Sequence, residues 1–436
     1  MQSIAELSRR LRSPRGDPRV PARARSESAE EHRVRLSRGL VGGVVFAVAV
    51  ASFTRVPLLP DIGAALSLSA GDLGLLTAAF GLGRLLTDLP AGRIASSVSP
   101  RRGLAGAGIS LAVACTLLAT AGSFAQALVA SALIGCASAL ANTTGMYAFA
   151  TAAGAERRGA NMALFSSALM SGQTLGPAAG GALAALAGWR GAMVGAAAVG
   201  VAVAAGSFGR LRIGVSRGAP NPAPAADLDP VAESGGEDRP RDRGRWVNPE
   251  VAVAPPSRLE LAAIAAAPFT VFFVIGGVSQ TLVPLIGDRE LGLSASTIGL
   301  ALALGGAMRF PGAWVAGLSS DRYSRGLVLV PTLLLVALGA GVLALDAGTV
   351  GWIAAIVVLA LGSSAISVAA AALADRVPPD RLGHQLGIFR LTGDAGLLAG
   401  PILAGFLYEA SGAALAAGVT ALIAAIAALA ALRLVE

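Results

Sequence analysis

Lysine is missing from this sequence altogether, so every strongly basic side chain is an arginine. That alone excludes a GxxxxGK[ST] phosphate loop, and with it direct use of a nucleoside triphosphate. The two histidines, His32 and His384, lie far apart, so no metal cluster is expected. The two cysteines, Cys115 and Cys136, sit inside apolar runs, where they read as small packing residues rather than a disulfide framework. Charge is also scarce. Only 14% of residues are Asp, Glu or Arg, against 54% hydrophobic, which excludes an ordinary water-soluble domain. The net charge of +8 is carried by loop arginines, as in membrane proteins, so no nucleic-acid partner is expected. Gly-rich stretches such as Gly103–Gly108 lie inside a hydrophobic run, without the strand and acidic residue a dinucleotide would need. No cofactor and no enzymatic activity are expected.

What is present is length of apolar chain. Twelve runs have the roughly 20 apolar residues a transmembrane helix requires: 39–60, 73–95, 103–122, 125–150, 160–186, 190–210, 259–286, 296–319, 326–346, 350–374, 384–408 and 412–433. They fall into two sets of six that repeat in the same order. Leu-Ser-Ala-Gly-Asp-Leu-Gly at 68–74 answers Leu-Ser-Ala-Ser-Thr-Ile-Gly at 293–299, Arg84 answers Arg309, and Gly92 answers Gly317, each 225 positions on (309 − 84). Glu156-Arg157-Arg158-Gly159 answers Asp380-Arg381-Leu382-Gly383, and Gly176-Pro177 answers Gly400-Pro401, now at 224 (401 − 177). A parallel repeat of apolar segments predicts an all-α membrane protein of two six-helix halves, with a site between them near the bilayer midplane.

Loop charges give the expected orientation. Arg93, Arg101, Arg102, Arg157, Arg158, Arg322, Arg325, Arg376, Arg381 and Arg433 fall on one side, while Asp61, Asp72, Asp288, Glu290, Asp346 and Glu409 fall on the other. The arginine side is read as cytoplasmic, and it holds both termini. Residues 1–38 read as a disordered cytoplasmic tail, 39–210 as the first bundle, 211–258 as a flexible cytoplasmic linker, and 259–436 as the second bundle. Eleven spans follow the first, so that span is read as a retained anchor rather than a signal peptide.

The sharpest local pattern is Gly172-Gln173-Thr174-Leu175-Gly176-Pro177-Ala178-Ala179-Gly180-Gly181. Glycines 172, 176 and 180 share one helix face, so a neighbouring backbone can come close, and Pro177 kinks the helix there. Gly396, Gly400-Pro401 and Gly405 repeat the device. This segment resembles motif C of the major facilitator superfamily, a fifth-helix signature associated with its proton-coupled drug antiporters. Gly317-Leu318-Ser319-Ser320-Asp321-Arg322-Tyr323-Ser324-Arg325 is similar to that superfamily's motif A, G-x-L-x-D-R-x-G-R, with Ser324 in place of a glycine. The first-half copy begins Gly92-Arg93 but has Ser96 and Ser97 where the acid and an arginine belong. The resemblance implies a gating charge network. Asp321 is expected near a helix N-terminus, with Arg322 and Arg325 bonding carbonyls or carboxylates.

Ionisable side chains at membrane depth are functional candidates because their burial is costly unless they are paired or face water. They are Arg55, Arg84, Asp88, Arg309, Arg390 and Asp394, with Asn142, Gln173 and Gln280 as uncharged polar companions. Arg84 with Asp88, and Arg390 with Asp394, have the i,i+4 spacing of same-helix ion pairs. Asp394 is either a proton-coupling carboxylate or a permanent partner that lets Arg390 be buried. Arg84 and Arg309 either flank a central cavity and attract an anion or tie helices together. The expected function is secondary active transport by alternating access, with proton-coupled efflux of a small organic compound favoured by motif C. Uptake of an anionic metabolite is the alternative, and a non-transporting membrane sensor a third. The expected location is the cytoplasmic membrane. The partners are lipid, protons and a small-molecule substrate, and the chain is expected to act as a monomer.

Overall fold

The computed structural model describes residues 39–151, 158–209, 258–377 and 379–432; at 89–97, 151, 158–159, 209, 258–259, 379–380 and 382–384 only the backbone is described. The tail and linker expected at 1–38 and 211–258 thus lie almost wholly outside the described residues, as do Arg157 and Arg433. The described backbone is helical, and no strand occurs among these residues. In chain order the helices are α1 (Gly39–Leu66), α2 (Ala70–Ser97), α3 (Pro100–Ala119) and α4 (Phe124–Thr151). Then come α5 and α6, the two limbs of Arg158–Gly209 on either side of Gly188. The second half holds α7 (Glu260–Arg289), α8 (Ala295–Arg322), α9 (Arg325–Leu343), α10 (Gly348–Arg376), and α11 and α12, the limbs of Pro379–Ala431 on either side of Gly412.

Among the described residues, nine continuous helices are long and apolar enough to cross a bilayer. Two of them, 160–208 and 385–431, run for 49 and 47 residues, more than twice the length one crossing needs. Each reverses at a glycine in the left-handed region, Gly188 at φ 68° and Gly412 at φ 80°, where any other side chain would be strained. Splitting both gives eleven spans. The twelfth is α2, whose length suffices but whose Asp72, Arg84 and Asp88 lower its hydropathy. The twelve-helix architecture read from the sequence is the one observed.

Helix starts explain the repeated Leu-Ser-Ala segment. Ser69 and Asp72 form a reciprocal cap on α2: Ser69 N donates to Asp72 Oδ2 at 3.0 Å, and Asp72 N donates to Ser69 Oγ at 3.2 Å. In the second half Ser294 Oγ accepts Thr297 N at 3.3 Å to cap α8. Ser324, the departure from motif A, caps α9 by accepting Leu327 N at 3.2 Å.

Each bundle has its own apolar core. Leu58, Ile62, Leu73, Leu76, Phe80, Leu111 and Met193 centre the first, and Ile264, Val271, Val278, Leu329, Leu333, Val336 and Trp352 the second. Leu285 and Leu397 from the second half pack into the first core. The halves therefore share buried surface as well as polar contacts.

Candidate functional site

Small residues decide where the helices touch. The stripe Gly172, Gly176, Gly180 seats α5 on α1: a Cβ added at each would lie 2.6 Å from Phe46 O, 2.7 Å from Val50 O and 2.1 Å from Thr54 O. The next face of the same segment joins the halves. A Cβ at Gly181 would lie 2.5 Å from Ala295 O on α8, and one at Gly299 would lie 2.3 Å from Pro177 O. Ser296 Oγ donates to Gly181 O at 2.9 Å beside them. On the opposite flank, Gly396 and Gly400 seat α11 on α7, each with a Cβ position 2.1 Å from a carbonyl, of Phe269 and Phe273 respectively. A Cβ at Gly74 would lie 2.4 Å from Pro401 O and one at Gly81 3.0 Å from Leu397 O, so α2 and α11 run antiparallel in close contact. Glu409 accepts Gly71 N at 2.8 Å at one end of that contact.

Farther along the same seam lies a four-charge cluster. Arg84 Nε is 3.5 Å from Asp394 Oδ1, and Arg390 Nη2 is 3.8 Å from Asp88 Oδ2. Both pairs cross from one half to the other. Of the two same-helix pairs expected, Arg84–Asp88 is present at 3.9 Å, but no ion pair joins Arg390 to Asp394 among the described residues. The reason is the α2–α11 register, which opposes Arg84 to Asp394 and Asp88 to Arg390, so each carboxylate meets the guanidinium of the other helix. Arg84 and Asp394 are buried, at 9% and 5% exposure. Sequence reasoning missed two hydroxyls from α4: Ser138 Oγ accepts Arg84 Nη1 at 3.4 Å, and Thr143 Oγ1 donates to Asp88 Oδ1 at 3.0 Å. The polar run Asn142-Thr143-Thr144 was the available signal for the second. Met146 Sδ lies 3.6 Å from Arg390 Nη1.

Arg55 sits where α1 breaks. Pro57 and Pro60 interrupt the helix, and Val56–Leu58 form a tighter 3₁₀ turn. Its guanidinium lies 4.4 Å over the Phe80 ring, and Nη2 donates to Gln280 Oε1 at 3.3 Å in the other half. Gln280 belongs to a π-helical turn of α7, Ile275–Leu282, held by Thr281 Oγ1 donating to Gly276 O at 2.9 Å. Two irregular helix segments thus face each other across the interface. Asn142 is buried with its Oδ1 lacking a hydrogen bond, and Gln173 is half-buried on α5. Among the described residues neither is joined to the cluster by a hydrogen bond. Arg309 is apart from it too, facing a cavity inside the second bundle.

The motif A segment forms a separate network. Arg325 pairs with Asp321 at 2.7 Å and Asp375 at 2.9 Å, and also donates to Ser320, tying the ends of α8, α9 and α10. Asp321 lies in the last turn of α8, not at a helix N-terminus, because α8 continues through Arg322. Arg322 leaves the network and lies 5.9 Å from the Tyr323 ring. Gly317 has open space around it. Gly92 and Arg93 fall in the last turns of α2, and their side chains lie outside the described residues. No grouping of three or more metal-ligating side chains occurs among the described residues.

A sequence model described as Major Facilitator Superfamily matches residues 41–286 and again 264–436, two overlapping matches that together cover both halves. Among solved structures, a bacterial homologue of the human lysosomal transporter Spinster, inward-facing and unoccupied, is 14% identical and aligns with a TM-score of 0.66 over 92% of this chain and 94% of its own. The same homologue in an inward-facing, occupied conformation is 15% identical, with a TM-score of 0.68 over 91% of this chain and 95% of its own. At such identity the likeness is one of fold. No curated protein matches the chain.

Proposed function

The chain belongs to the major facilitator superfamily, and from that membership we propose that it is a proton-coupled antiporter exporting a small organic compound across the cytoplasmic membrane. Multi-pass embedding and transport, rather than catalysis, come with the family. Direction, coupling ion and substrate class are the proposal.

The observation that carries it is the Arg84–Asp88–Arg390–Asp394 cluster. With both acids ionised its net charge is zero, and each cross-half pair opposes separation of α2 from α11. Its distances of 3.5 to 3.9 Å are longer than the 2.7–2.9 Å of charge-assisted hydrogen bonds. The halves are held there by Coulomb attraction without tight bonding, which suits a contact that must open in each cycle. Arg84, Asp88 and Arg390 are the charged groups facing Asp394. A proton on Asp394 removes one negative charge, leaves two guanidiniums facing a single carboxylate, and weakens the seam. Substrate entering between the halves and a proton leaving Asp394 are then competing ways of restoring balance. Motif C supports the export direction by resemblance. The arginine excess favours placing those loops in the cytoplasm, and in that orientation a cavity opening on their side loads from inside.

Everted vesicles test the reading. A panel of small organic compounds is offered with and without an imposed pH gradient. We expect uptake of at least one compound that collapses with an uncoupler. Asp394→Asn should retain counterflow exchange but lose accumulation driven by the gradient. Accumulation by intact cells instead of everted vesicles would favour uptake. Unchanged gradient-driven accumulation in Asp394→Asn would remove this carboxylate from the coupling role.

A further inference from the structure

The two halves repeat, yet their membrane-depth arginines, the buried Arg84 and the half-buried Arg309, are treated differently. In the first half Arg84 has Asp394, Asp88 and Ser138 as partners. Phe80 is fully buried beside it with Arg55 stacked above. At the repeat positions of the second half stand Arg309 for Arg84, Gly305 for Phe80 and Gln280 for Arg55, each 225 further on. The acids have no counterpart: Met170 occupies the place of Asp394, 224 earlier, and Ala313 that of Asp88, 225 later. Arg309 accordingly makes no hydrogen bond or ion pair among the described residues, and its Nε is buried without a partner.

Loss of the phenyl ring also leaves room. Ile356 takes part of it, since a Cβ at Gly305 would lie 2.6 Å from its Cγ2. The remainder is a cavity of about 30 Å³ between α7, α8, α9 and α10. Arg309 and Ser279 face it, along with Ser363, among walls that are otherwise apolar, including Val274, Ile275 and Leu359. Ser363 Oγ donates to Ala360 O at 2.6 Å, whereas Ser279 makes no hydrogen bond among the described residues. An unneutralised guanidinium and a free hydroxyl thus share a void that holds one small group. A cation in apolar surroundings without a counter-charge is costly, and an anion in the void would relieve that cost.

We propose that Arg309 and Ser279 form a subsite for a small monovalent anionic group, namely a carboxylate on the transported compound. This deepens the transport reading and rests on it. A free chloride ion offers similar charge, and the test separates the two sources. The full chain, purified in detergent, is titrated with sodium acetate or sodium chloride while sodium sulfate holds the ionic strength, and thermal unfolding is followed.

Acetate is expected to raise the midpoint saturably. Arg309→Met should weaken that response by about tenfold or more, and Arg309→Lys by less. Without acetate, Arg309→Met should melt above the parent chain, because an unpaired cation has gone. If Arg309→Met does not fold, Ser279→Val keeps the charge and should still weaken the acetate response several-fold. Saturation by chloride but not by acetate overturns the assignment, as does an acetate response unchanged in Arg309→Met or Ser279→Val. A chain that transports but shows no acetate response sinks the subsite alone. One that responds to acetate through Arg309 but moves no compound keeps the anion site and sinks the transport reading.

Discussion

Arg84 is the residue on which the seam between the halves turns, because it touches both acids of the cluster, Asp394 at 3.5 Å and Asp88 at 3.9 Å. Removing it leaves the buried Asp394 and the half-buried Asp88 with Arg390 as their one remaining cation among the described residues. Breaking a buried ion pair from one side typically costs about 3–5 kcal/mol, most of it the burden of the orphaned charge. Arg84→Met is therefore expected to lower the unfolding midpoint in detergent markedly, and adding Asp394→Leu should restore most of the loss. If the double variant is no more stable than Arg84→Met alone, the pair is not a coupled unit. The motif A network makes the opposite case. Its bonds are short, at 2.7 and 2.9 Å, but Asp321 and Asp375 side chains are 70% and 52% exposed. Exposed pairs contribute about 0.2–1 kcal/mol, so Asp375→Asn should barely move the midpoint. Short distance marks strength only where water is excluded.

At the scale of the helix, contact geometry is written in glycines. A Cβ at Gly180 would fall 2.1 Å from Thr54 O, so α5 and α1 must move apart to admit it. Gly180→Ala should destabilise the chain by about 1–3 kcal/mol, as overpacking does. Gly206→Ala, with open space around it, should be neutral or slightly stabilising. Equal effects of the two would mean that close helix approach is not what Gly180 provides. This is also where the sequence was most and least legible. Spacing four apart announced the stripe, and hydropathy announced the spans, because both follow from the period of one helix. Partner choice does not. The spacing of Arg390 and Asp394 suggested a same-helix pair, but the register of α2 against α11 sends each to the other half. Nor did spacing show that Gly181 and Pro177 face α8 while Gly172, Gly176 and Gly180 face α1. The break at Arg55 could be anticipated from Pro57 and Pro60, whereas the π turn carrying Gln280 has no such marker in the sequence.

Across the whole molecule, most contacts between the halves run along two seams, α2 with α11 and α5 with α8, and the Arg55–Gln280 hydrogen bond joins α1 to α7 as well. One seam begins where Glu409 accepts Gly71 N and the other where Ser296 donates to Gly181 O, and both lie at the ends of the helices that the loop charges assign to the outside. The α2–α11 seam reaches Asp88 and Arg390, and the α5–α8 seam reaches Thr174 and Gly306, where a Cβ at the glycine would lie 2.7 Å from Thr174 Oγ1. Among the described residues the first seam carries paired charge, the second a single hydroxyl-to-carbonyl hydrogen bond, and Arg55 adds a buried cation on the neutral amide of Gln280. Which membrane face this joined end occupies decides whether the cavity opens inward, and orientation can be measured directly. Ala347 lies in the exposed turn before α10, and Tyr323, 68% exposed, lies in the turn between α8 and α9. In a chain with Cys115 and Cys136 replaced by alanine, Ala347→Cys should react with a membrane-impermeant maleimide on intact cells. Tyr323→Cys should react only after the membrane is opened. The reverse pattern would place the arginine-rich loops outside and turn the proposed export into import.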